Sequence, residues 1–443
     1  MKFNDIRLQN RLGRILEDFT NHPAGSIPMA SESTAAVKAA YRFLSNDTVE
    51  HAKIIEGLRC ATIDRMNQSE DKRFLFCSDA TNLVFTGRKI GGIGVLRNQK
   101  AKGLNLHTTI VINEQEVVLG AVQQTCWGRN PEDYGSRAER HEKPIEEKES
   151  YRWIESLQIT QEALPDDAQG IFIGDRGSDI YDLFLVPRKS NTHMLIRAAH
   201  NRSLDNQEGK LFNVVQAIPS TGTMQVKVCR TDTRKERIAH LEIRYKTVTL
   251  NPPRYRKELP SIQLNAVVAT EIVDDPNTQD QINWRILTTL PINSLQEAQY
   301  IVSTYAKRWI IERFHYTLKE GCKVEELQLE EAERISKAVA IYTIVACRLM
   351  YITYFARVEP DKSCEVILEE DEWKALYCYA KKTPRPPRQP PTIAEAVFMI
   401  ATLGGFLGRK SDADPGVKVI WRGIRVLESA TEMYRILNGK RCG

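Results

Sequence analysis

Gly170-Ile171-Phe172-Ile173-Gly174-Asp175 is a short apolar run that stops at a carboxylate. At this length, between glycines, it reads as a buried strand, and a charged helical stretch from Ile145 to Leu164 leads into it. Upstream, Phe74-Leu75-Phe76-Cys77 is a second apolar run, ending at Ser78-Asp79. Leu104 to Asn113 and Val117 to Trp127 read as strands joined by the turn Asn113-Glu114-Gln115-Glu116. Downstream come a helix near Ile180 to Leu185 and a strand at His193 to Arg197. The order β-β-β-α-β-α-β is that of an α/β domain.

The flanks extend this frame. Leu8, Leu12, Ile15 and Phe19 share one helical stripe while Arg7, Arg11 and Arg14 share another, and Ser33 to Leu44 forms a second helix with Lys38 and Arg42 at i, i+4. Two short helices with a basic face suit docking on DNA. Residues from about 201 to 282 alternate β-branched and polar types around Asn251-Pro252-Pro253, which suggests an inserted β subdomain. Asn283 to Pro291 is a further strand, and Ser294-Leu295-Gln296-Glu297 is a capping box that opens a long helix. Ala332 to Ala356 is a second long, apolar helix. Lys381 to Pro391 holds five prolines and reads as a stiff linker to a C-terminal helical unit. The expected division is a helical unit at 1–70, an α/β unit at 71–380 with its β insertion, the linker at 381–391, and a helical unit at 392–443. There Ile420, Trp421, Ile424 and Val426 offer a dimer surface.

With 443 residues, 42% hydrophobic and 27% charged, the composition excludes collagen, a coiled-coil rod and wholesale disorder. The longest apolar stretch, Ala338 to Cys347, falls short of the roughly 20 residues a bilayer requires, and the N-terminus has no apolar leader, so no membrane partner and a cytoplasmic location are expected. Nine scattered cysteines without a C-x-x-C pair, and eight histidines without i, i+4 spacing, argue against zinc ribbons, redox dithiols and helical metal sites. The net charge of +5 is unevenly spread: Met224 to Glu258 carries ten Lys and Arg against four acids, and Lys374 to Gly443 thirteen against five. Basic charge confined to segments suggests a polyanion partner.

Tyr305, Arg308, Glu312 and Lys319 stand at offsets that place them, on a regular helix, within an arc of roughly 60°. Ile310, Ile311, Phe314 and Leu318 take the opposite side, so the polar stripe faces a cleft or solvent. Asp79 and Asp175 each end an apolar strand, where α/β sheets usually bind ligands. Two such carboxylates with a helical glutamate make a hard-oxygen set suited to Mg²⁺, and two ions about 3.5 to 4 Å apart can activate water and stabilise a leaving phosphodiester oxygen. Gly404 to Ser411 has the wrong spacing for a phosphate loop, which argues against ATP binding.

Tyr305, Arg308, Glu312 and Lys319 reproduce the Y-x2-R-x3-E-x6-K signature, and the chain resembles bacterial insertion-sequence DDE transposases of the insertion-sequence-four type, relatives of the transposon-five transposase. The resemblance runs in order through Ala40-Tyr41-Arg42-Phe43-Leu44, Asp79-Ala80-Thr81, Gly174-Asp175-Arg176, Arg308-Trp309-Ile310-Ile311-Glu312 and Leu403-Gly404-Gly405-Phe406. It implies a ribonuclease H-like catalytic domain with Asp79, Asp175 and Glu312 as catalytic triad and ligands of two Mg²⁺ ions, Mn²⁺ substituting. It further implies Tyr305, Arg308 and Lys319 on phosphates near the cleaved end, and Trp284 against a flipped base at a hairpin end. Arg7, Arg11, Arg14 and Arg42 fall in the end-binding unit. The implied partners are terminal-repeat and target DNA and a second copy of the chain in the synaptic complex. Alternatives are a catalytically silent DNA-binding relative and a metal nuclease that does not transpose. Two departures stand out: the stretch before Asp5 is shorter than in many relatives, implying an end-recognition unit that is either minimal or truncated at its start, and Tyr316 takes the place of a lysine found in some.

Overall fold

The computed structural model describes residues 3, 5–23, 25–31, 33–96, 101–129, 143–205, 209–228, 236–273, 280–409, 412 and 414–439. In chain order the helices α1 (Ile6–Asn21), α2 (Ile27–Ala30), α3 (Thr34–Leu44) and α4 (His51–Gln68) precede the strands β1 (Arg73–Val84), β2 (Gly94–Val95), β3 (Lys102–Asn113) and β4 (Val118–Trp127). Then come α5 (Tyr151–Ala163), β5 (Gln169–Gly174), α6 (Tyr181–Leu185), β6 (Thr192–Arg197), α7 (Leu211–Gln216), β7 (Gly222–Val228), β8 (Arg237–Leu250), β9 (Ile262–Glu271) and β10 (Asn283–Thr288). The rest is helical: α8 (Leu295–Ala306), α9 (Trp309–Tyr316), α10 (Ala332–Val358), α11 (Glu370–Lys381), α12 (Ile393–Leu403) and α13 (Val417–Leu437). The expected α/β order is present, with β2 as an addition that only two residues announce.

The chain divides into two units, Met1–Gln68 with Ala80–Tyr134 and Glu312–Gly443, and Ser69–Asp79 with Gly135–Ile311. In the second unit β1 pairs in parallel with β5, and β5 with β6, Phe76 standing beside Phe172 and Phe172 beside Met194. Both strands read as continuous apolar runs because parallel strands are covered on both faces. The sheet then turns antiparallel through β10, β9, β8 and β7, the last three pairings being long hairpin ladders in the region whose alternation suggested an inserted β element. Ser294 caps α8, its hydroxyl accepting from Glu297 N while the Glu297 carboxylate accepts from Ser294 N.

In the first unit Asp5 and Ser33 cap α1 and α3, and the apolar stripe Leu12, Ile15 and Phe19 is buried, Phe19 stacking on Tyr342 of α10 at 4.8 Å. The 27 residues of α10 form one helix that is, by length and composition, apolar enough to cross a membrane, which corrects the shorter estimate from the run ending at Arg348. A single arginine does not interrupt a helix, and most of this one is buried inside the unit. The proline-rich stretch after α11 also behaves differently from a separating linker. Leu376 before it and Ile400, Ile420 and Leu427 after it share one apolar cluster with Ile352 of α10.

Candidate functional site

In the second unit Asp79 lies within β1, because the strand continues through Asp79-Ala80-Thr81 to Val84 in place of stopping at the carboxylate. Its Oδ2 accepts from Arg308 Nη1 at 3.2 Å, and the two side chains are only 16% and 14% exposed. Asp175 follows β5 directly, as expected of a strand-end carboxylate. It caps the short turn Arg176–Ser178, Oδ1 accepting from Gly177 N at 2.7 Å and the backbone carbonyl from the Ser178 hydroxyl at 2.7 Å. Glycine is required just before it, since a Cβ on Gly174 would lie 2.1 Å from Ser178 Oγ. Asp179 locks the end of the turn onto Ala199, His200 and Arg202.

The helix expected to carry Tyr305, Arg308, Glu312 and Lys319 on one stripe is not continuous. The chain leaves α8 at Ala306, turns at Lys307 and Arg308, re-enters a helix at Trp309, and widens into a π turn at Thr317–Gly321, closed by Cys322 N donating to Thr317 O at 2.9 Å. Constant rotation of 100° per residue fails across both features. Ile310, Ile311, Phe314 and Leu318 are buried as anticipated, and so is Tyr305, at 3% exposure, which leaves a cleft and not open solvent for its side of the stripe. Its edge meets Trp284 at 5.3 Å with the rings inclined at 71°. The buried Tyr305 hydroxyl lies against the guanidiniums of Arg308 and Arg197. Burial raises its pKa, and the nearby Arg308 and Arg197 guanidiniums oppose that rise. Arg197 itself is pushed down by burial, with Arg176 and Arg308 close enough to add repulsion. Tyr305 thus sits in a nest of guanidiniums beside Asp175.

In the first unit Glu312 lies in the first turn of α9 and is partly buried, and Lys319 lies in the π turn. Burial lowers the Lys319 pKa against the opposing pull of Glu325, 4.0 Å away, and of Glu320. Among the described residues no three His, Cys, Asp or Glu side chains are gathered closely enough to hold a metal ion. Arg14 and Arg42 are exposed and Arg11 is partly so, whereas Arg7, also exposed, is held by Asp5 at 3.0 Å. Of the basic cluster in the β region, Arg237 is bidentate on the buried carboxylate of Glu271 and donates to Asp280 O, so it serves the fold. Arg230 and Arg234 lie outside the described residues, as do Lys410, Ser411, Met1, Lys2 and Asn4. Ile420 and Trp421 are buried within their own unit. The exposed apolar residues of α13 are instead Met433, Ile436 and Leu437.

Three stretches match transposase families: residues 1–49 the one described as Transposase DNA-binding, 154–348 the Transposase DDE domain, and 344–438 the Transposase Tn5 dimerisation domain. The chain is a Tn5-like DDE transposase. The transposase's DDE match takes in Asp175, Trp284, Tyr305, Arg308, Glu312 and Lys319, while Asp79 falls before it. Its catalytic domain is ribonuclease H-like, DNA and a second subunit are its partners, and its family generally uses divalent metal ions. The DNA-binding match contains Arg7, Arg11, Arg14 and Arg42. A solved piggyBac transposase synaptic complex with hairpin DNA aligns over 99% of this chain and 73% of that one, at 10% identity and a TM-score of 0.34, a likeness too slight to bear on the fold. Sequence reading missed Arg197 and the Asp179 to Arg202 lock. A charged residue closing the apolar strand at Arg197 was the available signal for the first, and nothing local announced the second.

Proposed function

We propose that this transposase binds the terminal repeats of its element as a dimer, cuts them, and joins them to target DNA by a cut-and-paste route through a hairpin end. What supports this reading is the Tyr305 hydroxyl, buried against the Arg197 and Arg308 guanidiniums in the same unit as Asp79 and Asp175. Guanidiniums gathered at a partly buried hydroxyl suit an anionic oxygen, and a phosphodiester supplies one. Asp79 and Asp175, in the same unit, are hard-oxygen donors, the chemistry that fits Mg²⁺ or Mn²⁺. Asp79, Asp175 and Glu312 would hold two such ions, which when bound would stabilise charge on the phosphodiester oxygens and acidify a water. Arg308, now the counter-charge of Asp79, and Lys319 would take phosphates, and Trp284 would stack on a flipped base. Residues 1–70, with Arg7, Arg11, Arg14 and Arg42, would read the end, 71–380 would carry the chemistry, and 392–443 would contribute to the dimer, the whole acting in the cytoplasm on chromosomal or plasmid DNA.

The test uses duplexes made from the DNA flanking the gene, with Mg²⁺, and compares the parental chain with Glu312→Gln. The amide keeps size and removes the ligand charge, so cleavage should fall by about 10³-fold, which is about 4 kcal/mol of barrier, while end binding stays within a few-fold. Parental-rate cleavage by Glu312→Gln would refute the triad. Binding without any cleavage by the parental chain would identify a silent relative, and cleavage without joining a nuclease.

A further inference from the structure

The π turn after α9 and the first half of α13, both in the first unit, enclose a recess of about 290 Å³ that the proposed chemistry does not use. Its floor is the buried Trp421, packed on Gly321 so closely that a Cβ there would come within 2.8 Å of the indole. Tyr316 forms a wall, its ring 6.2 Å from that of Trp421 and covered by the Arg313 guanidinium at 5.5 Å. The rim carries four cations and one acid, Glu320. Lys418, Arg422 and Arg425 stand at i, i+4 and i+7, one face of α13, with Lys323 also lining the recess. Lys323 is engaged by Glu326 at 2.9 Å and Glu320 at 3.7 Å, but among the described residues no ion pair is found for Lys418, Arg422 or Arg425.

The placement is electrostatically adverse for the helix alone. Lys418 and Arg422 lie in the first turns of α13, at the positive end of its dipole, and no acidic side chain stands in the first turn. Such a concentration of like charge is stabilised by an anion. A second copy of this chain is the wrong occupant for this half of α13, because a two-fold interface sets a patch near its own image and like charges would meet. The apolar residues suited to a subunit contact, Met433, Ile436 and Leu437, are at the other end of the same helix.

We propose that the recess seats consecutive phosphates of a DNA backbone, a contact separate from Tyr305 and Arg308. The inference rests on the transposase reading above. Its test is fluorescence anisotropy of the full chain between 50 and 200 mM salt, with a 40-base-pair random-sequence duplex and with a duplex of the element's end. Lys418→Gln, Arg422→Gln and Arg425→Gln are combined in one variant, and Lys418→Arg, Arg422→Lys and Arg425→Lys in another that keeps every charge. If each cation neutralises one phosphate, the neutral variant's salt slope should be shallower by about 2.7, so the parental chain should lose about 40-fold more affinity than the variant across that range. Flattening on both duplexes assigns the recess to any DNA path, including target; flattening on the end duplex alone assigns it to the element's own end. The charge-keeping variant should retain the parental slope, and equal flattening in it would overturn the proposal as a folding effect. Unchanged slopes in the neutral variant would overturn it too, and if sedimentation then showed a lost dimer, the face would be a protein contact. A parental chain that binds neither duplex would overturn the transposase reading itself, and with it this inference.

Discussion

Replacing Asp179 with asparagine should destabilise the second unit by about 3 to 4 kcal/mol, because the carboxylate is fully buried and holds three partners at once. Its Oδ2 accepts from Ala199 N at 2.7 Å, His200 N at 2.9 Å and Arg202 Nη1 at 2.9 Å, and its backbone carbonyl accepts from Arg202 Nη2 at 3.0 Å. Asparagine keeps an acceptor oxygen, so the two backbone donors can stay, but each bond changes from charge-assisted to neutral and loses about 1 kcal/mol. The larger effect is on Arg202, whose side chain is 11% exposed and would keep its charge without an anionic partner. One-sided removal of a buried pair costs about 3 to 5 kcal/mol, a range that already contains part of the hydrogen-bond loss. The assay is urea denaturation of the parental chain, Asp179→Asn, Arg202→Met and the double variant. Because Arg202→Met relieves the stranded guanidinium, the double variant should be more stable than the sum of the singles by about 2 kcal/mol. An Asp179→Asn chain within about 0.5 kcal/mol of the parent would refute the lock.

Two further outcomes follow from the first unit. His51 has Nδ1 2.9 Å from both the backbone carbonyl and the hydroxyl of Ser336 and Nε2 3.2 Å from the Gln124 backbone carbonyl, and burial holds its pKa below 6.5 against the two carbonyl bonds. A depressed folded pKa means that the unfolded chain takes up the proton first, so stability should be flat above about pH 6.5 and fall as the pH drops below it. His51→Gln should flatten part of that fall, and an identical melting profile down to about pH 5.5 would count against it. Met433→Glu with Leu437→Glu, at exposed positions, should weaken self-association on DNA with melting unchanged within about 0.5 kcal/mol, and sedimentation showing the parental dimer would place the subunit contact elsewhere.

Much of this architecture was readable because its cues are local. The apolar runs at Phe74 and Gly170, the Ser294 capping box and the alternation through β8 and β9 each record which face a residue buries, and burial repeats with the period of the element. The departures have non-local causes. Lys307-Arg308 contains neither glycine nor proline, so nothing in its propensity marks the break, and Arg308 there pairs with Asp79, more than 200 residues earlier in the chain. Tyr305 was placed on the polar face by a rotation rule that assumes an unbroken helix. Asp79 looked like a strand end because its apolar neighbours stop there, yet pairing continues through polar residues. The signature spacing was legible as a pattern, but the nest around Tyr305 draws on Arg197, remote in sequence.

The π turn at Thr317–Gly321 has a consequence for chain length. A π turn closes a helical loop with one residue more than an α turn, so this segment carries a surplus residue between Glu312 and the recess floor. Removing a single residue there would let the ladder revert to i→i−4 bonding without breaking the helix, at the cost of swinging Lys319 or everything after it by about 100°. The six-residue gap between Glu312 and Lys319 therefore behaves as a gauge of length: a one-residue deletion would leave a well-formed helix that points its lysine the wrong way.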